Sequence, residues 1–234
     1  MLFNSRRSPV FARNGMVATS QPIAAMAGLK ILMEGGNAVD AAVASAATLN
    51  VVEPESTGIG GDLFALVWNA NSKSIKALNA SGYSSSEASI PELKSQGYDY
   101  IPPQSPYAVT VPGTVSGWHT LIEECGTMPL AKVLDPAIGY AREGFAMTPI
   151  IADAIDQAAP KLLSNPSGKE LLKNGRPAKY GEIVRFRELA DSLQTIAEGG
   201  SEAFYKGNIA KAISSYVRTL GGWLTTDDFA SYSA

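Results

Sequence analysis

Apolar positions along the first third of the chain change period several times, and each change marks an element. Residues 16–19, Met-Val-Ala-Thr, predict a short strand. Ser20 is a candidate N-cap, and Pro22 suits a first helical turn. Ala24, Ala27, Leu29, Ile31 and Leu32 then predict a helix that Gly35-Gly36 stops. Asn37 can cap a second helix, Ala38 to about Val52, whose Asp40 suits the positive end of the helix dipole. This second helix is apolar on nearly all sides and rich in Ala41, Ala42, Ala44, Ser45, Ala46 and Ala47. Such a helix belongs inside a protein. Its small side chains predict close packing against strands. A polar, glycine-dense loop, residues 53–62, leads from it into an apolar run.

That run, 63–68, and a second β-type run, 74–79, flank Asn69-Ala70-Asn71-Ser72 and predict a hairpin. Its first strand is almost continuously apolar, which predicts cover on both faces. Residues 81–106 are rich in Ser, Pro, Gly and Tyr and predict an excursion with one short helix near 91–95. A strand is predicted at 107–111 and a helix at 114–124, ended by Gly126. Residues 129–143 are helical in pattern, with Asp135-Pro136 as the place for a break. Thr148-Pro149 opens another helix, and 160–185 hold short helical pieces. Amphipathic helices follow at 186–198, stopped by Gly199-Gly200, and at 208–220, stopped by Gly221-Gly222. Thr225 or Thr226 caps a last turn with Asp227 and Asp228 in its first positions.

Strands and glycine-rich turns early, then a long helical half, predict an α/β domain whose first part is helix and sheet (1–112) and whose second is a mainly helical lobe (113–234). No repeat or low-complexity linker divides the 234 residues. The last helix has barely begun where the chain ends, and nothing closes the sheet begun in the first half.

Composition narrows the function. Apolar residues make up 45% and charged residues 18%, enough for a core and against disorder. The net charge is −3 with no basic block, so nothing points to nucleic acid or anionic membranes. The first fifteen residues contain Arg6 and Arg7 but no apolar stretch behind them, and do not form a secretory signal. A cytoplasmic protein is expected on this sequence, or a periplasmic one if a segment precedes it. No apolar run approaches the roughly 18–20 residues of a membrane span. Cys125 is the single cysteine and predicts a small buried helix residue without an intrachain disulfide. The single histidine, His119, does not share a helix face with it. No metal or cofactor site is expected.

The glycine loop carries the candidate chemistry. Gly58, Gly60 and Gly61 fall within four positions, and glycine serves φ > 0 or close approach of the backbone to another group. Phosphate-cradling loops follow a strand and open a helix, whereas this one follows a helix and opens a strand. Two readings stay open: a structural turn, or one wall of a binding pocket. Glu53, Glu55 and Asp62 are carboxylates that solvate or cap nearby N–H groups, or else serve acid–base or metal chemistry. Trp118 and Trp223 are assigned to the core.

Two segments, GGNAVDAA at 35–42 and VVEPESTGIGG at 51–61, resemble the gamma-glutamyltransferase family, also known as gamma-glutamyltranspeptidases or glutathione hydrolases. VTVPGTVSGW at 109–118, PLAKVLDPAIGYAREGF at 129–145, EAFYKGNIAKAI at 202–213 and GGWLTTDDFASY at 221–232 extend the resemblance along the chain. The resemblance implies an N-terminal-nucleophile hydrolase with a layered αββα sandwich, here incomplete. Such a precursor cuts itself, and a threonine in a Thr-Thr-His segment becomes the nucleophile at the start of a small subunit. Thr225-Thr226 precedes Asp227 and His119 follows Trp118, so no catalytic residue is assigned in this chain.

The resemblance also implies an arginine after the hairpin that clamps the substrate α-carboxylate, a task suited to its bidentate fork. The two places where relatives carry it fall on Ser81 and Tyr83. Substrate-binding residues implied here are therefore Ser81, Tyr83, Gly58, Gly60 and Gly61, without the arginine. The implied partners are a small subunit or downstream half carrying the threonine, and a small gamma-glutamyl or other amide substrate. A non-catalytic scaffold or binding remnant of the same family is the alternative.

Overall fold

A computed structural model describes residues 8–234. Arg6 and Arg7, on which the reading of the N-terminus turns, lie outside the described residues. Helix α1 (Pro22–Met33) opens with proline in its first turn. Its N-cap is Gln21 rather than Ser20, with Gln21 Oε1 accepting from Ile23 N at 2.5 Å and Ala24 N at 3.4 Å. Ser20 Oγ instead donates to Glu53 Oε2 at 2.5 Å, tying the start of α1 to the end of the next helix. Residues 16–19 form no strand, because no described segment offers them a ladder partner.

Helix α2 (Ala38–Val52) begins with a reciprocal cap. Asn37 Oδ1 accepts from Val39 N and Asp40 N, and Asp40 Oδ2 accepts from Asn37 N at 2.8 Å. Asp40 is wholly buried and also accepts from Thr127 N, Thr127 Oγ1 and Met128 N. Burial pushes its carboxyl up, but these donors outweigh burial and hold it below the usual carboxylate range. One residue thus fastens α2 to the turn at 126–128.

Helices, not strands, surround α2: it packs on α1, on α4 (Thr114–Cys125) and on α5 (Leu130–Glu143). The small residues serve helix–helix approach. A Cβ at Gly28 of α1 would lie 2.2 Å from Ser45 Oγ and 2.9 Å from the Ala41 carbonyl oxygen of α2, so only glycine fits this crossing.

Strands β1 (Leu63–Asn69) and β2 (Ser74–Ala80) form an antiparallel hairpin in register from Leu63↔Ala80 to Asn69↔Ser74. Asn69 Oδ1 accepts from Asn71 N and Ser72 N and shapes the turn. The hairpin lies on α4. Cover on both faces is not observed. Leu63, Ala65 and Val67 face the core, whereas Phe64, Leu66 and Trp68 are each more than half exposed, as is Ile75 opposite Trp68. The apolar run hides an alternation whose second face is bare within the described residues.

A short helix α3 (Ile90–Ser95) is capped by Ser89. The strand expected at 107–111 is a 3₁₀ turn, Pro106–Ala108, followed by irregular chain. Among the described residues only Val111 N to Tyr83 O, 3.0 Å, joins it to its neighbour, too little for a ladder. Helix α5 continues through Pro136 without a break. Proline removes one intrahelical bond, and burial of Val133, Leu134, Pro136 and Ala137 offsets it. Beyond β3 (Phe145–Ala146), α6 (Pro149–Ser164) and a 3₁₀ turn (Pro166–Leu171), β4 (Ile183–Val184) pairs back with β3. Helix α7 (Arg187–Tyr205) packs on α5 and is interrupted at Gly200, where φ is 63°. The predicted stop is therefore a kink.

Helices α8 (Asn208–Thr219) and α9 (Thr226–Ala230) complete the fold. Trp118 and Trp223 are buried. Cys125 ends α4 half-buried, not enclosed, and its carbonyl accepts from Asn37 Nδ2 at 2.7 Å. Among the described residues no helix is long and apolar enough to cross a membrane.

Asp228 pins α9 to the chain after the hairpin. It accepts from Ser85 Oγ at 2.7 Å, Ser86 N at 2.8 Å, and Thr225 N and Oγ1 at 2.9 Å. Burial raises its carboxyl, but the bonds from Ser86 and Ser85 and from Thr225 prevail and hold it well below the usual range. A folded-state pKa below the unfolded one gives stability that is present above the unfolded value, about 3.9, and is lost as pH falls below it. We expect Asp228→Asn to cost about 3 kcal/mol at neutral pH, since hydrogen bonds to a charged group contribute roughly 1.5–3 kcal/mol each. The penalty should shrink below pH 4. Chemical denaturation of both proteins at pH 7 and pH 3 checks this; an equal difference at both values refutes the Asp228 account.

Candidate functional site

The loop after α2 is fixed at both ends by backbone bonds. Ser56 N and Thr57 N donate to the Glu53 carbonyl, and Gly61 N closes a turn onto the Gly58 carbonyl at 3.0 Å. The Gly61 carbonyl then accepts from both Gly113 N and Thr114 N at 2.9 Å, and Thr114 Oγ1 donates to the Asp62 carbonyl at 3.1 Å. The loop is thus clamped onto the first turn of α4, where free N–H groups are available.

Two clefts flank this loop. One, about 550 Å³, lies beneath it between α2, β1 and α4 and is lined by Leu49, Asn50, Gly58, Gly61, Thr114 and Trp118 among others. The other, about 410 Å³, lies on its far side against α7 and is lined by Ile59, Gly60, Arg185, Phe186 and Leu189 as well as Asn50. Both fall in the size range of small-molecule sites, roughly 300–1,000 Å³.

Gly58 and Gly60 do not serve the backbone. None of Gly58, Gly60 and Gly61 has a positive φ. A Cβ at Gly60 would meet nothing within 4 Å, and one at Gly58 only Gly60 N at 3.9 Å. Of the two uses expected of these glycines, a positive φ is not observed, whereas a close approach is observed at Gly61, where a Cβ would lie 3.3 Å from the Gly58 carbonyl oxygen. Nothing in the described packing requires a bare backbone at Gly58 or Gly60. The clearance they provide faces the clefts.

Ser81 and Tyr83 line neither cleft. Ser81 is exposed; its N–H donates to Asn79 Oδ1 at 2.9 Å and its carbonyl accepts from Tyr232 Oη at 3.3 Å. The Tyr83 hydroxyl lies 3.1 Å from Ser231 Oγ and its ring packs on Tyr232 at 5.3 Å. Between them, Gly82 N donates to Asp62 Oδ1 at 3.0 Å. This bond couples the 81–83 segment to the end of the glycine loop. The backbone there is crowded: a Cβ at Gly82 would lie 1.5 Å from the Val111 carbonyl oxygen.

The three carboxylates play separate parts. Glu53 accepts from Ser20, Asp62 caps Gly82 N, and Glu55 is exposed and lines neither cleft. Among the described residues no group of three His, Cys, Asp or Glu side chains could hold a metal ion. Sequence reasoning missed Asn50, Thr114 and Trp118 as cleft residues. The available signal was Asn50, a polar residue in the last turn of a mostly apolar helix.

Comparison with known proteins places this geometry. A profile of the gamma-glutamyltranspeptidase family matches residues 24–234. The glutathione hydrolase-like YwrD proenzyme of Bacillus subtilis is 38% identical over 225 residues, 95% of this chain and 42% of that protein. Gamma-glutamyltranspeptidase of Helicobacter pylori superposes with a TM-score of 0.90 at 33% identity, covering 97% of this chain and 66% of that one. Cephalosporin acylase of Bacillus halodurans superposes with a TM-score of 0.88 at 39% identity, covering 100% and 46%. The chain spans about two fifths of the length of the curated relative. On the extent of the profile match and the agreement of fold, the chain belongs to the gamma-glutamyltranspeptidase family.

Proposed function

We propose that this chain is the large-subunit part of an amide hydrolase or acyltransferase of the gamma-glutamyltranspeptidase type, completed by a segment that carries the threonine nucleophile. The observation that carries the reading is the bare face of the hairpin. Phe64, Leu66, Trp68 and Ile75 form one apolar surface on a two-stranded sheet, and exposed apolar sheet faces invite a covering partner. A companion sheet laid on that face would give the layered sandwich. The related proteins' description as proenzymes supports a chain that is processed into two parts.

In this reading the threonine hydroxyl attacks the amide carbonyl, and its own amine takes the proton and passes it to the leaving amine. Water or a second amine then takes the acyl group from the threonine ester. Gly58, Gly60 and Gly61 form one wall of the pocket, with room for substrate where side chains would intrude. Ser81 and Tyr83 stand where an arginine would hold an α-carboxylate. This favours acyl donors without that carboxylate.

Five outcomes are expected. Residues 1–234 alone should not hydrolyse a gamma-glutamyl anilide above a heat-killed control, and should associate or unfold without cooperativity. A monodisperse, cooperatively unfolding 234-residue monomer would instead favour the scaffold reading. The natural full-length protein should cut itself to leave an N-terminal threonine, seen by mass spectrometry. It should then prefer a 4-aminobutyryl anilide, which lacks the α-carboxylate, over the gamma-glutamyl anilide. Ser81→Arg should raise kcat/KM for the gamma-glutamyl donor alone by about ten- to a hundred-fold, since a charge-assisted hydrogen bond contributes roughly 1.5–3 kcal/mol. A strong preference of the unmutated enzyme for the carboxylated donor would show that another residue holds that group.

A further inference from the structure

The hairpin ladder ends at the pair Leu63↔Ala80. Continued in the same register, it would set Gly61 opposite Gly82. It does not continue, because the Gly61 carbonyl already accepts from Gly113 N and Thr114 N at 2.9 Å. Gly82 N–H is left without a ladder acceptor, and the Asp62 carboxylate takes it at 3.0 Å. A side chain does here what the backbone does along the rest of the hairpin.

Three stretches meet at this point: 58–62, 81–83 and 111–114. The first is joined to the third by the two bonds to the Gly61 carbonyl and by Thr114 Oγ1, which donates to the Asp62 carbonyl at 3.1 Å. The second is joined to the third by Val111 N, which donates to the Tyr83 carbonyl at 3.0 Å. Sterics tighten that side, since a Cβ at Gly82 would lie 1.5 Å from the Val111 carbonyl oxygen and one at Gly113 would lie 1.9 Å from that of Ala80. The remaining side, between 58–62 and 81–83, is closed among the described residues by one hydrogen bond, from Gly82 N to Asp62 Oδ1. Backbone groups hold two sides of the triangle, and a single carboxylate holds the third. That side alone can be cut by substitution without disturbing the others.

We infer that Asp62 is a positioning residue that sets the 81–83 segment against the glycine wall and thereby fixes which acyl donors fit between them. The inference rests on the acyl-transfer reading of the cleft that residues 58, 60 and 61 line. It gives Asp62 no contact with the substrate and no part in bond making. What matters is an acceptor oxygen at that distance from Gly82 N, not the charge the oxygen carries. Asparagine keeps such an oxygen without the charge. Glutamate keeps the charge and carries the oxygen one methylene further out. Alanine removes both.

The test uses the natural full-length protein and its Asp62→Asn, Asp62→Glu and Asp62→Ala variants. Hydrogen exchange is read by mass spectrometry on peptides covering 79–85, with a peptide from α2 as the control. Exchange over 79–85 should run about five-fold faster in Asp62→Ala, in keeping with loss of one hydrogen bond at an exposed site. Asp62→Glu should resemble it, Asp62→Asn should match the unmutated protein, and α2 should not change. In the activity arm, the preference for the 4-aminobutyryl over the gamma-glutamyl anilide, as a ratio of kcat/KM values, should fall about five-fold in Asp62→Ala and Asp62→Glu. It should stay within two-fold in Asp62→Asn. A residue that serves stability alone would lower the melting temperature and leave this ratio where it was.

Unchanged exchange over 79–85 in Asp62→Ala overturns the inference whatever the activity. So does the opposite order of variants, with Asp62→Asn behaving like Asp62→Ala and Asp62→Glu like the unmutated protein, since charge rather than position would then select the donor. Should Asp62→Ala fail to fold, Asp62→Asn and Asp62→Glu still decide between the two. An active enzyme whose donor ratio ignores all three variants refutes the inference alone. A protein that neither cuts itself nor hydrolyses either anilide refutes the proposed function, and the donor-selecting role of Asp62 with it, while the exchange data still decide whether Asp62 holds the segment.

Discussion

The close crossing of α1 and α2 at Gly28 is the constraint on which the rest of the structure depends. Ser45 Oγ and the Ala41 carbonyl occupy the space that any side chain at residue 28 would need. That contact seats α2 so deeply that α4 and α5 can pack on its other sides. With its start fixed by the Asn37–Asp40 cap and its end by Ser20 and Glu53, α2 can move little. The glycine loop inherits that rigidity, because it leaves α2 directly and is clamped onto the start of α4. A pocket wall made of bare backbone has no side chains to stiffen it. Here the stiffness comes from the bonds at its ends.

A second layer of order comes from the C-terminal elements. Asp228 and the rings of Tyr205 and Tyr232 draw α9 against the chain that follows the hairpin. Tyr205 Oη donates to the Pro112 carbonyl at 2.6 Å and accepts from Ser116 N at 3.1 Å. Burial pushes its phenol well above the ordinary value, so it remains a neutral donor. The turn that receives the glycine loop is therefore held from behind by α7. Helices distant in sequence thus position a loop from the first third of the chain.

Much of this was legible in the sequence where local chemistry is strong. The bounds of α2, the Asn37 cap, the hairpin turn at Asn69 and the Gly199-Gly200 interruption all follow from capping, periodicity and glycine placement. The failures share a cause. Residues 16–19 and 107–111 have strand-like side chains, but a strand exists only with a partner, and pairing is not a local property. The apolar run at 63–68 has no visible alternation, so its bare face could not be told from a buried one. Asn50 and Trp118 were hidden for a different reason. Which residues border a cleft depends on what every other segment brings to it, and no window of sequence shows that. Ser81 and Tyr83 were placed near the loop but outside the clefts, since their link runs through the backbone of Gly82.

That link has an evolutionary reading. At Gly82 no side chain can be added without driving the 80–83 and 111–113 segments apart, so the path of the backbone there is set by sterics. The side chain of residue 81, by contrast, makes none of the contacts that hold this path; its N–H and carbonyl make them. The segment therefore separates the part that keeps its shape from the part that can vary. Residue 81 can therefore change in a lineage while the path of the backbone around it stays the same.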